Sequence, residues 1–241
     1  MKIQYLRNDA IQTEKWDDCI LHSSPSLIYA YSWYLDEVCD EWDALVLEDY
    51  RAVMPLPFTR KMGLHLALQP PFTQQLGVFS REALQEEVLR EFIAAIPSKF
   101  RWVNYQWNVR NQLAELSKKT NYVLDLIQGY EMLYEAYDTS LKRALRKSIK
   151  SSCSLSEGVS FEELFSLIDY QNQKQAMGIS NKSRQKLQRL LHACTKKGSL
   201  LVVGFYSPVN HLCSAGVFLK DHQRIYYLLG ASDDMGREFH G

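Results

Sequence analysis

ALVLEDYRAVMPLPFTRKMGLHLALQPP (44–71) and LLVVGFYSPVNHLCSAGVFLKDHQRIYYLLGAS (200–232) carry one pattern twice. Each reads as three short strands joined by tight turns, followed by a loop rich in glycine or proline. In the first copy the strands fall at 44–47, 52–58 and 64–68. Pro55 and Pro57 cannot donate to a ladder, which suits an edge or a bulge. In the second copy the strands fall at 200–206, 212–219 and 225–229, turned at Pro208 and Asn210 and again across 220–223. An offset of about 160 residues is too long for a solenoid and suits two domains. The expectation is a mixed α/β (α+β) chain of two units, residues 1–120 and 121–241. In the first half a helix, a strand, a second helix and a second strand follow the loop. In the second half the chain stops at Gly241, where that helix should begin, so the second unit is expected to be incomplete.

Working outward, residues 2–7 alternate as a short strand, and 13–21 read as a helix capped by Thr13 with Trp16, Cys19 and Ile20 inward. Tyr31, Tyr34, Leu35 and Val38 share one helical face. Trp33 falls off that stripe, which turns it toward a cleft or the other domain. Ser80 is the expected cap of a helix over 80–95 that Pro97 ends. A strand over 101–107, a short helix over 111–118 and an alternating strand over 122–127 follow. Helices over 159–170 and 182–197 point Leu164, Phe165, Ile168 and Leu187, Leu190, Leu191, Cys194 inward.

The 241 residues are 46% hydrophobic and 23% charged, an ordinary globular composition with zero formal net charge. The distribution is uneven. Residues 1–51 hold eleven acids against four bases, and residues 142–197 hold twelve bases against four acids. Any anion site therefore belongs to the second half. The five cysteines are scattered with no CxxC, the pattern of reduced thiols, and the histidines show no ligand spacing; His211-x-Cys213 stands alone. No metal is expected. The N-terminus lacks a signal pattern, and no apolar run approaches the roughly 18 residues of a membrane span. A cytoplasmic protein is expected, with neither membrane nor DNA as partner and with its oligomeric state open.

YEMLYEAYDTSLKRALRKSIK (130–150) holds the strongest charge run. Tyr130, Leu133, Tyr134 and Tyr137 make one helical face. Asp138, Thr139 or Ser140 can cap a second segment, in which Leu141, Ala144, Leu145, Ser148 and Ile149 form a stripe. Lys142, Arg143, Arg146, Lys147 and Lys150 occupy the rest, with like charges at i, i+4 that cost a few tenths of a kcal/mol per pair, roughly. The plain reading is a solvated helix face. The sharper one is a polyanion site in which Lys142, Arg143 and Arg146 meet a phosphate-bearing cofactor, a nucleotide-linked substrate or RNA. The loop QPPFTQQLG (69–77) is similarly two-sided. It is a stiff connector, or a substrate-facing loop presenting Gln69, Thr73, Gln74 and Gln75 from a rigid mount.

A strand–helices–meander–loop unit in tandem resembles the doubled GNAT fold of the FemABX-type acyltransferases. YDTSLKRALRKSIKSSCSL resembles the opening of their second domain, and RIYYLLGASDDMGR resembles the strand and loop before their CoA-binding helix. WYLDEVCDEWDALVLEDYRAVMPLPF and QPPFTQQLG look like a bacterial branch of GNAT-like proteins. FemABX-type enzymes move aminoacyl groups from tRNA to peptidoglycan precursors, and GNAT relatives move acyl groups from acyl-CoA to amines. In place of the pyrophosphate pattern Q/R-x-x-G-x-G/A this chain offers residues 233–241, with Gly236 and Gly241 five apart.

The resemblance implies transfer of an acyl group from acetyl-CoA or another acyl-CoA to a small-molecule amine. Leu229, Gly230 and Ala231 would flank the pantetheine arm, which pairs with exposed strand backbone. Gly236, Gly241 and Arg237 would receive the pyrophosphate. Tyr227 and Trp33 join the glutamines and the basic residues on the acceptor side. No catalytic residue is identified. Two further classes stay open: an aminoacyl-tRNA-dependent transferase, with tRNA as partner, and a non-catalytic binding protein on the same scaffold.

Overall fold

The computed structural model describes residues 2–174 and 178–239. Along the chain lie β1 (Ile3–Leu6), α1 (Thr13–Leu21), α2 (Ser32–Val38), β2 (Glu41–Leu47), β3 (Ala52–Lys61), β4 (Leu64–Leu68), β5 (Phe79–Ser80), α3 (Glu86–Ala94) and β6 (Phe100–Asn104). Then come α4 (Tyr130–Ala136), α5 (Thr139–Lys150), β7 (Ser154–Ser156), α6 (Phe161–Lys174), α7 (Asn181–Lys196), β8 (Leu200–Tyr206), β9 (Leu212–Lys220), β10 (Ile225–Ser232) and α8 (Asp234–Phe239). This is the mixed α/β class expected. Both meanders form: β2-β3-β4 and β8-β9-β10 are consecutive antiparallel neighbours.

The chain separates into two compact units, Met1–Leu116 with Asn181–Gly198, and Ser117–Ser180 with Ser199–Gly241. In the first, the sheet runs β1-β2-β3-β4-β6, with β5 paired to β3 and β6 parallel to β4. Its core gathers Leu45, Met54, Leu56, Phe58, Ala67, Leu89, Phe92 and Phe100. The inward residues of α7, Leu187, Leu190, Leu191 and Cys194, are all buried, and α7 packs on α2.

Charged contacts accompany that packing. Lys182 and Lys186 of α7 reach the Asp40 carboxylate at 2.6 and 2.9 Å. Lys186 also donates to the Val38 carbonyl (2.6 Å), and Arg189 to the Glu37 carbonyl (3.0 Å). These carbonyls end α2, where the helix dipole is negative and cations are favoured. Three of the bases in the basic half are thus engaged by the acid-rich N-terminal segment rather than left for an external anion.

The second unit holds an antiparallel sheet, β10-β9-β8-β7. Leu164, Phe165, Leu167 and Ile168 of α6 are buried, and α6 packs on β9 and β10.

Four local expectations are corrected. Residues 122–127 form no strand, and Tyr122 and Ile127 are over nine-tenths exposed. Alternation supplies a face, but a strand also needs a ladder partner. Ser80 ends β5, and its hydroxyl accepts the Glu82 N–H in a turn; α3 begins only at Glu86, so Leu89 joins Phe92 inward. Residues 111–118 are not helical. Instead the Asn111 amide bonds both the N–H (2.7 Å) and the carbonyl (3.0 Å) of Val78, an example of a side chain competing with helix formation. Gly230, Ala231 and Ser232 do not leave the sheet; they pair with Gly216, Ala215 and Ser214 inside β10.

Candidate functional site

The expected site residues divide between the units. In the first, the 69–77 loop is built from the inside. The Gln69 amide donates to the Thr73 carbonyl (3.0 Å) and accepts from the Gln106 N–H (3.1 Å), so both of its ends staple the loop. Thr73 is buried, and the Phe72 carbonyl accepts from the Tyr34 hydroxyl. Gly77 has φ of +100°, and a Cβ there would lie 2.2 Å from the Asn111 amide oxygen. With Gln69 and Thr73 committed to the loop itself, Gln74 (exposed) and Gln75 (half-buried) are the members presented outward. Trp33 is half-buried on α2, between the Tyr31 ring (6.4 Å, stacked) and the Lys197 ammonium 5.3 Å over its face.

In the second unit, Asp138 is the cap of α5: its carboxylate accepts the Leu141 N–H at 2.7 Å. That bond holds the Asp138 carboxyl below its usual range. Lys142 turns back to the Glu135 carbonyl (2.8 Å) and over the Tyr134 ring (5.5 Å), fastening α5 to α4. Arg143, Arg146, Lys147 and Lys150 are exposed. No residue of α5 is buried, and Leu141 and Ile149 of its apolar stripe are themselves exposed. Lys147 reaches the Glu238 carbonyl near the end of α8 (3.3 Å), which brings the basic helix to the segment after β10.

β10 forms one edge of its sheet, so its outer backbone groups face away from β9. The register slips between Tyr227 and Leu229, making Leu228 the extra residue of a bulge. Tyr227 is exposed, packs tilted against Phe218 with ring centroids 5.5 Å apart, and carries its hydroxyl over Gly230, where a Cβ would come within 2.2 Å. Leu229 is half-buried opposite Val217.

The two aspartates after β10 are both engaged. Asp234 accepts from Lys174 (3.0 Å) and Tyr170 (2.8 Å) of α6 and faces Arg237 at 3.8 Å. The lysine bond first, then the tyrosine bond, lowers its carboxyl. Asp233 accepts from the Gly236 N–H (2.8 Å) and lies 2.7 Å from His211 Nε2. Gly236 is buried; a Cβ there would meet the Cys213 carbonyl oxygen at 2.4 Å. Its glycine is therefore needed for close packing of α8 on β9, and its N–H is held by Asp233. Gly241 lies outside the described residues.

Residue-by-residue reading missed the His211–Asp233 pair, because Asp233 meets His211 only through the β9–β10 register. It also missed a polar knot in the first unit. There Lys99 lies 3.1 Å from Asp43, Tyr5 donates to Asp43, and Lys99 bonds the Tyr5 hydroxyl. Burial first, then the Asp43 bond, raises the Tyr5 phenol. No sequence spacing links residues 5, 43 and 99.

No protein-family model matches this sequence, and no curated protein does. Among solved structures, the crystal structure of FemX is similar with a TM-score of 0.66 and 9% sequence identity, over all of this chain and 82% of that one. No helix among the described residues is long and apolar enough to cross a membrane. The chain therefore has the fold of FemX: mixed α/β, with two sheets, each containing an antiparallel meander.

Proposed function

We propose that this chain transfers an acyl group to an amine. The observation that carries the reading is the FemX-like fold over the full chain, together with the resemblance of its basic segment and its last strand to FemABX-type acyltransferases. In the first form of the reading the donor is acetyl-CoA or another acyl-CoA. Its pantetheine arm would add to the open edge of β10 beside Leu229, Gly230 and Ala231, as an extra strand adds to a sheet. Arg237 would face the phosphates. Within the second unit, Tyr227, exposed on β10, is the residue proposed for the acceptor side; Gln74, Gln75 and Trp33 are proposed for substrate binding in the first unit.

One observation favours a second form, an aminoacyl-tRNA donor. The Gly236 N–H, which a pyrophosphate would need, already serves Asp233, whereas Arg143 and Arg146 stand exposed on an uncovered amphipathic helix. A polyanion is the ligand such a helix suits. Calorimetric titration of acetyl-CoA and, separately, of tRNA into the protein tests the two forms. Heat with acetyl-CoA alone supports the first. Salt-dependent binding of tRNA alone supports the second. Binding of neither overturns both and leaves a non-catalytic binding protein.

A further inference from the structure

His211, Cys213 and Asp233 place one nitrogen, one sulfur and one carboxylate oxygen within 4.8 Å of one another. The sheet makes this arrangement. Residues two apart in extended chain point to the same face, so His211, just before β9, and Cys213, within it, share a side. The Asp233 N–H donates to the Cys213 carbonyl (2.9 Å), extending the β9–β10 ladder by one step and setting Asp233 beside Cys213. The supports are fixed as well. Asp233 Oδ1 is held by the Gly236 N–H at 2.8 Å. The turn before His211 is closed by Ser207, whose N–H donates to the His211 carbonyl (2.9 Å).

We propose that these three side chains form a binding site for a divalent transition-metal ion of the zinc class. Mixed N, S and O donors suit zinc rather than magnesium or calcium, which take oxygen alone. A tetrahedral zinc, with bonds of about 2.0–2.3 Å, separates its donors by about 3.4–3.6 Å. The present separations bracket that value: 2.7 Å between His211 Nε2 and Asp233 Oδ2, and 4.8 Å as the upper bound within the trio. An ion entering would open the first and close the longest by movements of about 1 Å, within reach of side-chain rotation. The His211 side chain is 54% exposed, which leaves an entry path and a fourth position for water or a ligand. The Cys213 thiol lies 3.2 Å from the His211 carbonyl, and it would give up its proton on binding an ion. A plain Asp–His hydrogen bond that caps α8 would account for two of the three groups; the thiol adds a soft donor to them.

The test uses the full chain, reduced and freed of metal, titrated with Co²⁺. The expected result is one equivalent bound per chain, with a thiolate-to-cobalt charge-transfer absorption displaced by Zn²⁺. His211→Ala and Cys213→Ser should each weaken binding at least tenfold, while Cys153→Ser, a control on the other cysteine of this unit outside the trio, should leave it unchanged. Far-UV circular dichroism of His211→Ala, a change at a half-exposed side chain, separates lost binding from lost fold. Absence of the thiolate band at saturating Co²⁺, or a band that survives in His211→Ala and Cys213→Ser, overturns the proposal.

Discussion

The ammonium of Lys186, on a residue only 7% exposed, lies 2.9 Å from the Asp40 carboxylate and is shared with the Val38 carbonyl at the end of α2. A buried cation of this kind is tolerated because its partners are in place, not because the pair is intrinsically stabilising. Asp40→Asn should therefore destabilise the protein by about 3 kcal/mol, since it leaves the lysine without a counter-charge. Lys186→Met, of similar length, should cost less. Urea unfolding of both variants checks the order, and an equal or reversed ranking would refute it.

The same pair predicts an acid limb. Burial alone would raise the Asp40 carboxyl, but hydrogen bonds from Lys182 and Lys186 outweigh it and hold it down at about 2. The unfolded value is about 3.9. A depressed folded pKa contributes stability above the unfolded value, and that contribution fades as pH falls toward the folded one. Between about pH 4 and pH 2, then, wild type should lose stability faster than Asp40→Asn, and the two curves should converge. Acid unfolding followed by tryptophan fluorescence reads this directly.

Arg143 and Arg146 are exposed on a helix with no fully buried residue, so replacing both with Glu should leave the circular dichroism spectrum unchanged. If α5 meets tRNA, affinity should fall by roughly ten- to a hundredfold at low salt, and the slope of log K against log salt should shrink by about 2. Unaltered affinity and slope would return α5 to a solvated surface.

Gly236→Ala places a methyl 2.4 Å from the Cys213 carbonyl oxygen and 2.2 Å from the Ser214 hydroxyl. The backbone of β9 cannot yield, so α8 must lift. The expected cost is about 1–3 kcal/mol, seen as a lower midpoint in thermal unfolding.

Asn111→Ala removes both bonds to Val78 and leaves its buried N–H unsatisfied, while the Asn108 amide still donates to the Val78 carbonyl at 3.0 Å. A loss of about 2 kcal/mol is expected. Hydrogen exchange should quicken in residues 76–78, beside Gln74 and Gln75, and remain slow in β9.

The meanders were legible because their information is local: apolar runs of strand length, punctuated by proline, glycine and asparagine. The stripes of α6 and α7, and the cap of α5 among its three candidates, were legible for the same reason. What α7 packs against was not, since Lys182, Lys186 and Arg189 find the end of α2 about 150 residues away in sequence. Residues 111–118 and 122–127 misled in opposite ways. In the first, an asparagine side chain took a distant backbone partner; in the second, a strand pattern met no ladder. Of the candidate site, the basic helix and the last strand were visible as elements. The capture of the Gly236 N–H by Asp233 is a local cap between residues three apart, whereas the meeting of His211, Cys213 and Asp233 depends on a register that a bulge at residues 227–229 resets.

The chain passes three times between its two units, after residues 116, 180 and 198. The first unit is consequently discontinuous, and this bears on how it is made. On a ribosome adding about 5–20 residues per second, the first 116 residues emerge seconds before α7 exists. Throughout that interval α2 lacks its partner: the surface that Leu187, Leu190 and Leu191 will cover is open, and Asp40 has no lysine. Nascent chains shorter than about 200 residues are thus the form of this protein most exposed to aggregation and most in need of a chaperone.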